Sequence, residues 1–160
     1  LLVLPCSVWV RCFGLMRFIP AALTVVLLTS CVSRYERDFR AATAAQKSPP
    51  DSVEGPWQGE WRSEMNGHHG PLWCMVTAVE PDAYDFRYRA GWGKLQFGDY
   101  VHGVAGSPTR DGTLRFAGEM DLPGGVGVHA VEGRLTPLTF DARFRSARGD
   151  RGTMTLRRPE

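Results

Sequence analysis

The chain has 160 residues, enough for one domain with a short appendage. Its 18 glycines and 11 prolines lie mostly in the second half, which argues against a bundle of long helices and for short strands joined by turns. The formal charge of +2 is too small for a protein that grips nucleic acid by its backbone charge.

The first thirty residues differ from the rest. Arg11 and Arg17 lie there and no acidic residue does, so the 19 basic residues fall to 17 beyond this point, against 17 acidic ones. The remainder is therefore near neutral. Met16-Arg17 leads into Phe18 to Leu28, an apolar core of about a dozen residues. A permanent spanning helix needs about 20 apolar residues, so this core has the length of a secretory signal. We take the natural start as Met16, with the preceding residues an upstream extension. The alternative is one uncleaved membrane helix at the N-terminus.

The core ends in Leu28-Thr29-Ser30-Cys31. An apolar branched residue, two small ones and Cys, after a basic start and an apolar core, resemble the lipobox of bacterial lipoproteins. The resemblance covers Met16 to Cys31. It implies cleavage between Ser30 and Cys31, a diacylglycerol on the Cys31 sulfur and acylation of the new amino group. Each buried methylene contributes about 0.8 kcal/mol and one chain anchors only marginally, so two or three chains would hold the protein on a membrane without a helix. In Gram-negative sorting, Asp after the Cys goes with inner-membrane retention. Val32 stands there instead, which points to the periplasmic face of the outer membrane.

Residues 31–54 read as the lipid-bearing Cys and a flexible tether. Ser33 to Ala42 can form a short amphipathic helix with Tyr35, Phe39 and Ala42 on one stripe, too short to be stable alone. Pro49-Pro50 then breaks any helix. A mobile, solvated spacer is expected.

From Gly55 to Glu160 the apolar period is two. Trp57, Gly59, Trp61 and Ser63 share one face of a first strand. Leu72 to Val79 is a second. Tyr84, Phe86 and Tyr88 alternate with Asp85, Arg87 and Arg89 in a third. Residues 94–105 follow, with Leu95 and Phe97 alternating and a bulge at Gly98-Asp99. Thr109 to Gly112 is a hairpin turn. Leu114, Phe116, Gly118 and Met120 point inward next, then come residues 126–135, the set Phe140, Ala142 and Phe144, and finally residues 153–158. About eight strands at roughly 8–12-residue spacing predict an all-β domain, a small antiparallel up-and-down barrel, with a β-sandwich as the alternative. A domain this short favours a packed interior or a shallow pocket over a deep cavity.

In a closed meander of even strand number the last strand runs antiparallel beside the first. Arg158 shares the inward parity of Met154 and Leu156, which places it near Trp57 or Trp61. Gly59-Glu60-Trp61 with a late Arg is similar to the lipocalin and calycin pattern, and Gly55-Pro56-Trp57 repeats the Gly-x-Trp. The resemblance implies a barrel and carries no ligand with it.

Candidate chemistry is sparse. Asn66, His68 and His69 fall in the most polar turn, a candidate pocket mouth. With His102 and His129 these are all the histidines, and no Cys or carboxylate spacing turns them into a metal site. Gly124-Gly125-Val126-Gly127 leads into a strand, so it lacks the helix N-terminus of a phosphate cradle. No Gly-x-Ser-x-Gly and no triad setting is present, and nothing calls for a cofactor or a catalytic role. Cys74 is the one thiol left in the domain, either a small buried hydrophobe or a reactive group. The aromatics of the strands are core by parity, with Trp73 and Trp92 left for the surface. The expectation is a membrane-anchored protein of the cell envelope. Its barrel binds a small apolar molecule or an envelope protein; the alternatives are a structural part with no ligand and an enzyme whose site no motif marks.

Overall fold

The structure, a computed structural model, describes residues 32–122 and 127–160. The leader, the cleavage point at Ser30, the lipid site at Cys31 and most of the Gly124–Gly127 run lie outside the described residues. No helix among those described is long and apolar enough to cross a membrane.

Eight antiparallel strands close into a barrel in simple sequence order. They are β1 (Gly55–Ser63), β2 (His69–Glu80), β3 (Ala83–Trp92), β4 (Leu95–Pro108), β5 (Leu114–Leu122), β6 (Gly127–Leu135), β7 (Thr139–Ser146) and β8 (Arg151–Arg157). Closure runs through β1 and β8, with Gln58 opposite Arg157 and Ser63 opposite Gly152. The sandwich alternative is thereby set aside. Closure pairs the first strand with the last, so neither β1 nor β8 is left as an open sheet edge.

The period-two pattern explains the wall. Trp57, Cys74, Val76, Phe86, Phe116, Phe140, Leu114, Leu135 and Leu156 are buried along inward positions. Charged residues alternate with them on the outside, where water solvates them. Gly59 lets β1 and β8 meet: a side chain there would run into the backbone of Thr155 and Leu156. The bulge falls on β4, where Tyr88 faces Tyr100 but Ala90 faces Phe97. Gly98 takes the left-handed backbone at the extra residue, at φ +90°.

The two ends of the barrel differ. One end carries the β2–β3, β4–β5 and β6–β7 turns and is packed shut. Phe86, Phe116 and Phe140 form an aromatic cluster there, with ring centroids 4.6 to 5.6 Å apart. Trp57 sets its edge on Phe140 at 5.9 Å. Beneath it Arg158 covers the Trp57 ring. The opposite end carries the β1–β2, β3–β4 and β7–β8 turns and is open.

The segment expected to be a mobile spacer is in large part ordered against the barrel. Helix α1 (Arg34–Ala44) belongs to the same compact unit as the strands, Arg34–Glu160. Its stripe residues Tyr35 and Phe39 are buried. The Tyr35 hydroxyl donates to the Arg87 carbonyl at 3.3 Å, and Arg87 Nη1 donates to Asp38 at 2.8 Å. The Arg87 and Arg89 guanidinium groups lie over the Tyr35 ring, 5.1 and 5.9 Å from its centroid. A helix of eleven residues is too short to persist alone, and this docking is what stabilises it.

Candidate functional site

The open half of the barrel encloses a cup of about 240 Å³. Its wall is almost wholly apolar and aromatic: Leu72, Phe97, Met120, Val131, Phe144 and Met154 supply much of it. The upward strand residues differ from those below in size and spacing. Ala90 and the flexible Met120 and Met154 stand where the closed half has bulky rings, so the interior is not filled.

A seam runs down one side of the cup. Strands β4 and β5 pair only from Ala105–Ala117 to Pro108–Leu114. Beyond that point β4 continues to Leu95 on β3 alone, and β5 continues to Leu122 on β6 alone. Phe97, Tyr100 and His102 on one side and Met120 and Leu122 on the other flank the gap and line the cup.

Few polar groups reach into this space, and most of them are already engaged. Trp61 Nε1 donates to the Gly91 carbonyl at 3.0 Å. His129 Nδ1 lies 3.0 Å from the Gly127 carbonyl. Asp150 accepts from the buried Ser63 hydroxyl at 2.6 Å. Among the described residues of the cup wall, the buried exceptions are His102 and Tyr88. His102 is buried and its Nε2 has no hydrogen-bond partner. Burial lowers its pKa from the ordinary 6.5, outweighing the upward pull of the adjacent Gly118 backbone. The ring occupies the space above Gly118, where a side-chain carbon would come within 3.0 Å of Nε2. The Tyr88 hydroxyl is buried beside the Cys74 thiol, a weak partner. Burial pushes both the Tyr88 and Cys74 pKa values well up, so both groups stay protonated.

The residues singled out from sequence fall in three places. Asn66, His68 and His69 stand at the open end but do not line the cup. The Asn66 side chain accepts from the His68 backbone at 2.9 Å, an internal turn bond. The His68 ring lies against exposed Trp92, with centroids 5.0 Å apart. Arg158 and Trp57 come together at the closed end, whereas Trp61 is in the cup and takes no part in that contact. Tyr88, Tyr100 and His102 line the cup although no sequence motif singles them out. Each shares the inward parity of its strand, and a polar atom on an inward face has to find a partner. Cys74 is buried and free. Among the described residues no three His, Cys, Asp or Glu side chains gather as metal ligands.

No protein-family model, curated protein or solved structure matches this chain.

Proposed function

We propose that this protein is a lipid-anchored binding protein of the cell envelope whose barrel takes a small, mainly apolar molecule at its open end. The observation that carries the binding role is the cup: an apolar interior space with a buried, unpartnered His102 Nε2 and a weakly partnered Tyr88 hydroxyl on its wall. Ligand pockets are typically apolar with a few placed polar groups and span about 300–1,000 Å³. A cup slightly below that range suits a compact molecule, or one end of a longer chain that projects outward.

Charge defines the ligand further. Among the described residues Asp150 is the acid on the wall and is engaged with Ser63, and no Lys or Arg lines the cup. An ionised head would lose its hydration there without a counter-ion. A neutral hydroxyl or carbonyl is what His102 and Tyr88 fit.

The methionines report binding. On titration with 1-naphthol, the methyl NMR signals of Met120 and Met154 should shift while those of Met65 and Met75, outside the cup, stay fixed. Unmoved Met120 and Met154 signals with this probe and with other neutral apolar molecules would sink the binding role. The anchor is tested separately by fatty-acid labelling of wild type and Cys31→Ser; equal labelling would remove it.

A further inference from the structure

We infer that the open end of the barrel rests on an anionic phospholipid surface, so that the cup faces the bilayer. The inference deepens the proposed function and rests on Cys31 as the lipid-bearing residue.

The direction of α1 supplies the orientation. Ala42 in its last turn and Ala45 just beyond it lie with Gly55, Pro56 and Arg158 at the closed end. Its first two turns, with Tyr35, Glu36, Phe39 and Arg40, lie with Trp73, Arg89 and Gln96, in the half of β3 and β4 that leads to the open end. Arg89 precedes the end of β3 by three residues, about 10 Å along a strand. Cys31 precedes Arg34 by three residues, which reach about 10 Å when extended. Three extended residues are long enough for acyl chains on Cys31 to reach a membrane seated at the open rim. The closed end lies the length of the helix further away.

The rim matches such a surface. Trp92, Leu95 and Phe97 on the β3–β4 hairpin, Met65 in the β1–β2 turn and Val128 at the start of β6 are all exposed. Lys94 and Arg148 sit in the turns between them, and Arg34 and Arg37 are exposed at the start of α1. Two of the acids at this end are occupied, Glu64 facing Arg151 at 3.5 Å and Asp150 held by Ser63, while Glu119 and Asp121 on β5 are exposed. An indole, aliphatic side chains and flanking basic groups are what the headgroup boundary of an anionic bilayer accepts. At the closed end Val79 and Leu138 are exposed as well, but they are isolated and lie away from the start of α1. With the rim seated, an apolar ligand passes between bilayer and cup without crossing water.

The test uses the full-length acylated protein in vesicles of phosphatidylethanolamine and phosphatidylglycerol with brominated acyl chains, which quench indoles at short range. Wild-type fluorescence should be quenched, and most of that quenching should be lost in Trp92→Phe. In the Trp92→Phe background, Leu95→Trp should restore it and Leu138→Trp should not. Both substituted positions are exposed, so neither variant threatens the fold. Acylated protein whose quenching ignores Trp92, or responds at Leu138 and not at Leu95, overturns the inference alone. A mass that shows no acyl chains on Cys31 removes the anchor reading and this inference with it. The Met120 and Met154 titration remains an independent measure of binding in either case.

Discussion

Arg158 holds its guanidinium carbon 3.8 Å from the centroid of the Trp57 ring, joining the last residues of the chain to the first strand. The same group donates to the carbonyls of Ser52, Glu54, Pro56 and Pro137. It therefore ties the entry to β1, the β6–β7 turn and the C-terminus together and seals the closed end. Burial pushes its pKa down to about 10, which leaves it charged at neutral pH. No carboxylate takes part; the indole face and four carbonyl dipoles balance the charge.

Removal of that group should be felt globally. A cation over an indole contributes about 0.5–2 kcal/mol, and a charged hydrogen bond about 1.5–3. Arg158→Ala should lower unfolding free energy by about 2–4 kcal/mol in urea titration, since water replaces part of what is lost. Arg158→Lys should recover only a fraction, because an ammonium cannot reach four carbonyls in one plane. A stability within 0.5 kcal/mol of wild type for Arg158→Ala would show that the seal is ornamental.

The docked helix gives a local prediction. Phe39→Ala and Tyr35→Ala remove the buried stripe of α1, while the barrel keeps its own closure through β1 and β8. Truncation of a large buried aromatic costs about 3–5 kcal/mol in a full core, and less at a partly open interface. Amide exchange should quicken across Arg34–Ala44 in both variants and stay slow in β5 to β8. Equal acceleration throughout the barrel would mean that α1 is part of the global folding unit.

Much of the fold was legible in sequence because a half-buried strand announces itself. Tyr84-Asp85-Phe86-Arg87-Tyr88 has one period and one inward face, and the structure gives it that face. The bulge was legible at Gly98-Asp99 because an extra residue needs a left-handed backbone that Gly accepts. The open half of the barrel was not legible. Parity says that Met120, Met154 and Ala90 point inward, but whether inward side chains meet across the barrel depends on their summed volume. The unfinished β4–β5 ladder has no sequence mark of its own. The docking of α1 was missed for a related reason: its stripe was visible, but the outer wall of Trp73, Arg87 and Arg89 that receives it is assembled from two strands.

His102 makes stability depend on pH. Its folded pKa is lowered from the ordinary 6.5, so the unfolded chain binds the proton more tightly than the folded one. Its contribution is fully present above the unfolded value and is lost as pH falls through the folded one. Stability should thus decline as pH falls below the ordinary 6.5, and His102→Gln, which does not titrate, should flatten that part of the profile. Urea midpoints at pH 7.5 and 5.5 check this. An unchanged slope in the variant would assign the decline to other groups.

Cys74 should be silent in the native protein. The thiolate is the reacting form, and burial holds this thiol protonated inside the barrel. Labelling by a maleimide at pH 8 should be negligible until urea unfolds the chain, at which point it should become fast. Rapid labelling of folded protein would show that the β4–β5 seam opens far enough to admit a reagent to the interior.

That seam is itself open to test at Gly118, where β4 and β5 begin to part. A side-chain carbon there would meet the Gly103 carbonyl at 2.7 Å, and His102 Nε2 and Val104 Cγ1 each at 3.0 Å. The carbonyl belongs to backbone and yields little; the imidazole can yield only by swinging into the cup. Gly118→Ala should therefore cost about 1–3 kcal/mol, as overpacking does, and should also displace His102. Displacement carries a second consequence that strain alone lacks. With the ring moved into the cup, the Met120 and Met154 signals should shift before any ligand is added, and 1-naphthol should bind more weakly. Replacing His102 by Ala in the Gly118→Ala background removes the moving ring. It should restore part of the lost stability, and wild-type Met120 and Met154 signals in Gly118→Ala alone would separate the glycine from the cup.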